Sequence, residues 1–61
     1  MEYEYAIINS DATFSHELRS QLVDFKEFRC SGVAADCFDG LNLILKQMPD
    51  VVFVDLTKNA S

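Results

Sequence analysis

Near its carboxyl end the chain runs an apolar stretch straight into a carboxylate, Val51-Val52-Phe53-Val54-Asp55-Leu56-Thr57, with Pro49-Asp50 at its start. A strand without polar alternation is typical of a parallel strand covered on both faces. Parallel strands need long crossover connections, so this stretch restricts the chain to α/β arrangements. Ligands of open parallel sheets bind outside the carboxyl ends of the strands, which makes Asp55 the first candidate for chemistry.

The rest of the sequence supplies the partners such a strand needs. Tyr3-Glu4-Tyr5-Ala6-Ile7-Ile8 begins with alternation and ends apolar, which predicts a strand entering a buried interior. Asn9-Ser10-Asp11 breaks it, and Ser10 or Asp11 can cap a helix from about Ala12 to Val23 with Phe14, Leu18, Leu22 and Phe25 at helical spacing. Asp24 to Glu27 is a charged connection, and Phe28 to Ala34 has the aromatic and β-branched character of a second strand, weakened by Gly32. Asp36 or Cys37 caps a second helix whose apolar stripe is Phe38, Leu41, Leu45 and Met48, with Asn42, Lys46 and Gln47 outside it. Pro49 ends that helix, because the residue before a proline is pushed out of the helical region. The expected fold is α/β, βαβαβ, with a parallel three-stranded sheet in order 2-1-3; with the second strand on one side of the first and the third on the other, right-handed crossovers put one helix on each face.

Sixty-one residues make one small domain, 1–61, of marginal stability. A net charge of −5, with five scattered basic residues from Arg19 to Lys58, argues against nucleic-acid binding, which needs clustered Lys and Arg. No apolar run approaches the roughly 20 residues that cross a bilayer, and the amino terminus is acidic where a signal peptide is basic, so a cytoplasmic location is expected. Cys30 and Cys37 fit neither redox-pair nor zinc spacing and are expected to be reduced, partly buried thiols. His16 stands alone and is expected to be solvated.

In the 2-1-3 order the first and third strands are neighbours, so Asn9, Ser10 and Asp11 come within reach of Asp55. Acids at both strand ends suit magnesium, which binds through one or two carboxylates and keeps several waters. Asp55 is then a ligand or a nucleophile toward a phosphoryl group. The structural alternative is that Asp11 caps the first helix and Asp55 caps a turn. A nucleotide or flavin site is disfavoured, since Asn9-Ser10-Asp11-Ala12 lacks the glycines that let backbone approach phosphate.

Tyr5-Ala6-Ile7-Ile8-Asn9-Ser10-Asp11, then Phe14, Leu18 and Leu22, then Gly40-Leu41, then Pro49-Asp50-Val51-Val52-Phe53-Val54-Asp55-Leu56, resembles the amino-terminal half of a two-component response-regulator receiver domain. The resemblance implies a truncated flavodoxin-like receiver fold whose carboxyl-terminal half and output domain are absent. It also implies a role in bacterial phosphorelay signal transduction and transcription regulation. Asp55 is by this resemblance the phosphoacceptor for a histidine kinase, and magnesium would be held by Asp11, Asp55 and the main-chain carbonyl of Thr57.

The chain departs from that pattern at the acidic pair, which falls on Asn9 and Ser10. A one-residue shift would make Asp11 its second member, but the alignment of Ala12 and Leu18 favours the unshifted register. Losing two carboxylates weakens magnesium binding or abolishes it. The family's proline three residues after the phosphoacceptor is replaced by Lys58, and the switch residues of its second half are missing. A degenerate receiver is expected, not enzymatically competent alone, or else a phosphorylation-independent pseudo-receiver that works by interaction. The apolar edge from Val51 to Leu56 predicts a homodimer or higher oligomer, by edge pairing or by packing of exposed sheet faces.

Overall fold

The computed structural model describes residues 2–54. Its elements are β1 (Tyr3–Ile8), α1 (Ala12–Leu22), β2 (Phe28–Ala34), α2 (Cys37–Gln47) and β3 (Val51–Val54). The three strands form a parallel sheet in the order β2-β1-β3, the βαβαβ arrangement expected from the sequence.

The helices take opposite faces because the two right-handed crossovers run to opposite sides of β1, whose alternating side chains meet both. Ala6 and Ile8 point toward α2, where Gly40 packs on Ile8 and Leu43 packs over Gly32 of β2. A Cβ on Gly40 would lie 2.5 Å from Ile8 Cδ1, so glycine is what lets this helix sit so close to the sheet. Tyr5 and Ile7 point to the other face, with Phe53 paired to Ile7 and lining a groove beside Phe14 and Leu18 of α1.

Asp11 caps α1, its Oδ1 accepting the N–H groups of Thr13 (2.9 Å) and Phe14 (3.3 Å). Asp36, and not Cys37, caps α2 by accepting the Asp39 N–H at 2.8 Å. α1 ends at Leu22 with Val23 as its cap, one residue short of expectation. Met48 closes α2 in the left-handed region at φ 49°, donating its N–H to the Ile44 carbonyl at 2.8 Å. The proline that follows therefore removes Met48 from the right-handed helix as expected, but into a left-handed turn.

Three packing expectations are corrected. Phe38, Leu41, Leu45 and Met48 do not face the sheet; they are 72, 56, 68 and 79% exposed, and Gly40, Leu43 and Ile44 turn inward instead. The reason is Gly40, the one position at which α2 can close onto Ile8. Phe14 and Phe25 are exposed, Phe25 lying beyond α1 and packing edge-on against Phe28, while Ser15 takes the buried place on α1. Cys37 is exposed, and only Cys30 is partly buried.

β2 carries an irregularity between its pairings Tyr5 with Cys30 and Ala6 with Gly32, which leaves Ser31 as an extra residue. The Ser31 hydroxyl donates to the Glu4 carboxylate at 3.2 Å, and Arg29 forms an ion pair with that same carboxylate. Asp50 bonds β1 twice, accepting the Glu4 N–H on Oδ2 and donating its own N–H to the Glu4 carbonyl, both at 2.8 Å. Asp50→Ala removes the first of these at an exposed position and is expected to cost about 0.5–1 kcal/mol, read as a lowered urea midpoint. An unchanged midpoint would mean that water replaces the carboxylate there.

Among the described residues the buried apolar side chains are Tyr5, Ala6, Ile7, Ile8 and Ala34, so the core is essentially the central strand.

Candidate functional site at the carboxyl ends of β1 and β3

The register pairs Ile7 with Phe53 and Ile8 with Val54, so the two strands end side by side. Asn9 leaves β1 nearly buried, at 5% exposure, and donates its N–H to the Ala34 carbonyl of β2 at 2.9 Å. Its side-chain Oδ1 accepts the Asp11 N–H at 2.7 Å, closing a turn that aims the chain into α1. Ser10 lies exposed at the tip of that turn.

Each polar residue at the end of β1 therefore has a local task. Asn9 holds the turn and Asp11 holds the helix, with both cap bonds falling on Oδ1 of Asp11. Oδ2 of Asp11 takes no part in the cap and is the oxygen that can turn to a cation. Asp55 and Thr57, the other expected ligands, lie outside the described residues. Among the described residues no group of three or more His, Cys, Asp or Glu side chains is arranged to hold a metal ion. One carboxylate oxygen beside an amide and a hydroxyl fits a hard cation only weakly, since magnesium depends on carboxylate charge to offset its dehydration.

One concavity borders this end of the sheet, and a second lies toward the amino ends of β1 and β2. A groove of about 350 Å³ between α1 and β3 is lined by Phe14, Leu18, Phe53 and Val54 and is chiefly apolar. A wider cleft of about 610 Å³ lies between α1 and β2, with His16, Arg19, Arg29 and Cys30 on its walls. Tyr5 lies at its base, and burial raises the phenol pKa above its ordinary value, with Cys30 adding to the effect and Arg19 opposing it. His16 lines this cleft while remaining exposed, as the sequence suggested. The Ser15 hydroxyl is buried without a hydrogen-bond partner in α1. Nothing in the spacing of α1 marked Ser15, because the apolar residues around it carry the periodic signal.

Comparison with known protein families, with curated proteins and with solved structures finds no match to this chain. No helix among the described residues is long and apolar enough to cross a membrane.

Proposed function

We propose that the chain is a receiver-like segment of a two-component response regulator, with Asp55 as phosphoacceptor and a weakened magnesium site beside it. The observation that supports this most is the pairing of Ile8 with Val54, which sets the turn Asn9-Ser10-Asp11 next to the residue that precedes Asp55. Open parallel sheets bind phosphoryl groups at such a junction. On this reading the donor is a histidine kinase and the location is cytoplasmic, while the charge of −5 disfavours direct contact with nucleic acid.

Asp11, Asp55 and the Thr57 carbonyl would hold the magnesium ion. Bound there, the ion would neutralise charge on the transferring phosphoryl group. Asn9 and Ser10 weaken that binding by withholding two carboxylates, and the protein's own part is to hold the turn rigid through the Asn9 to Asp11 bond.

Asn9→Asp with Ser10→Asp tests this directly. An aspartate at position 9 can still accept the Asp11 N–H, so the turn survives. Magnesium affinity is expected to rise at least about tenfold, read by amide shifts of Asp11 and Asp55 during titration. Position 9 is nearly buried, so the new charge should also lower stability without the ion and recover it on adding magnesium. Unchanged affinity in this variant would sink the site.

A second reading, a pseudo-receiver that acts by homo-oligomerisation or protein interaction without phosphorylation, is favoured by the burial pattern. The core is nearly confined to one strand, and large apolar side chains on α1, α2 and β3 remain open to water. Such surfaces on a small domain mark interaction sites.

A further inference from the structure

The cleft between α1 and β2 differs in chemistry from the apolar groove beside Phe53. Among the described residues on its walls none is Asp or Glu, in a chain that holds ten of them against five Lys and Arg. His16, Arg19 and Ser20 stand three and four residues apart along one side of α1. Val23, a cap residue still in right-handed geometry, continues that side. Opposite them, β2 turns Phe28 and Cys30 to the same face as Tyr5, the residue paired with Cys30.

The polar groups on these walls are not equivalent. Arg29 borders the cleft but gives its guanidinium to Glu4, and Ser20 gives its hydroxyl proton to the His16 carbonyl at 2.9 Å. Arg19 has no carboxylate partner among the described residues. Its charge is felt at the base of the cleft, where it favours the ionised form of the Tyr5 phenol. Burial outweighs that effect and raises the phenol pKa, which keeps Tyr5 protonated and able to donate. A guanidinium with no carboxylate to neutralise it, beside a protonated phenol, makes a receptor for an oxyanion. His16, on the same side of α1, offers a further donor.

We propose that this cleft binds a small organic anion, a carboxylate or phosphate head on a flat apolar body, with Arg19 as its anchor. The head lies against Arg19, Tyr5 and His16, and the body against Phe28 and Val23. Phe28 is held for this by Tyr3 and Phe25, with ring centroids 5.9 and 6.5 Å away, and Val23 is 72% exposed. The volume of about 610 Å³ falls within the range of small-molecule sites. A cation is the wrong occupant, because Arg19 repels it and the walls supply no carboxylate. The cleft opens toward the amino ends of β1 and β2, away from the turn Asn9-Ser10-Asp11, so it is a second site and stands independently of the phosphoryl site.

Amide NMR titration of the whole chain at constant ionic strength tests this, with benzoate, phenyl phosphate, inorganic phosphate and neutral benzamide as probes. Benzoate or phenyl phosphate should give saturable shifts at His16, Arg19 and Cys30, with a Kd on the order of 1 mM. The tighter of the two identifies the head. Benzamide should bind at least about tenfold more weakly than benzoate, and inorganic phosphate more weakly than phenyl phosphate. Arg19→Gln should weaken the tighter anion at least about tenfold, and Arg19→Lys by less, since lysine keeps the charge and loses the fork. Arg19 is exposed, so both variants should keep the far-UV circular dichroism of the wild type. In the wild type, NOEs from the aromatic ring of the bound anion to Phe28 and to the Val23 methyls read the same pose without any substitution. Benzamide binding as tightly as benzoate, full affinity in Arg19→Gln, or the absence of those NOEs would overturn the site. So would flat titrations with both organic anions, or shifts confined to Asn9–Asp11, which would put the anion at the strand ends instead.

Discussion

Ile7→Ala is expected to leave the chain largely unfolded at physiological temperature. Ile7 is 0% exposed, the largest fully buried side chain described, and it lies on the central strand between Val33 and Phe53. Truncating a buried isoleucine costs about 2–5 kcal/mol, from lost transfer energy and the cavity left behind. A chain of this length has on the order of 3–9 kcal/mol in total. The melting temperature should fall by about 10–30 °C, followed by far-UV circular dichroism. Val23→Ala, at a 72% exposed position, is the control and should change stability by no more than about 0.5 kcal/mol. A drop of only a few degrees in Ile7→Ala would mean that the strand is not the core, and that association supplies most of the stability.

On the proposed function, Asp55→Asn removes all acyl phosphate formed with a small acyl-phosphate donor and magnesium. The reaction needs a carboxylate oxygen that attacks phosphorus while the donor's bond to its leaving carboxylate breaks and carries off the electron pair. A neutral amide at position 55 offers no such nucleophile. The effect is clearest in the Asn9→Asp/Ser10→Asp background, where metal binding is restored and modification of the parent should be abundant. Intact mass measurement should find one added phosphoryl group when Asp55 is present and none when the amide replaces it. Modification that persists in Asp55→Asn, stable to hydroxylamine but lost in acid, would assign the chemistry to a histidine, of which His16 is the only one in the chain.

The sequence revealed features that depend on neighbours along the chain. The turn after β1, the cap at Asp36 and the strand ending at Ile8 follow from local hydrogen bonding and alternation, and with β1 between β2 and β3 right-handed crossover then puts the helices on opposite faces. The direction of α2 was not legible, because two sets of residues on it have helical spacing. Only the contact between Gly40 and Ile8, remote in sequence, decides which set meets the sheet. Distance in sequence also hid the bond from Asp50 to the Glu4 N–H and the extra residue at Ser31, both set by pairing across strands. At the site, Asn9 and Asp11 were legible as turn and cap residues, and their bonds bear this out. Asp55 and Thr57 fall outside the described residues, so the role of Asp55 rests on its place after an apolar strand and on the resemblance, and that of Thr57 on the resemblance alone.

The central claim is that the ends of β1 and β3 form a weakened phosphoryl site. Its most direct test is an NMR titration of the wild-type chain with beryllofluoride, a phosphoryl mimic, at increasing magnesium. The account predicts saturable amide shifts confined to Asn9–Asp11 and to Val54 and Asp55, reached only at high magnesium, and reached at lower magnesium in Asn9→Asp/Ser10→Asp. Flat titrations in both proteins would contradict it and favour the reading in which the chain acts by self-association.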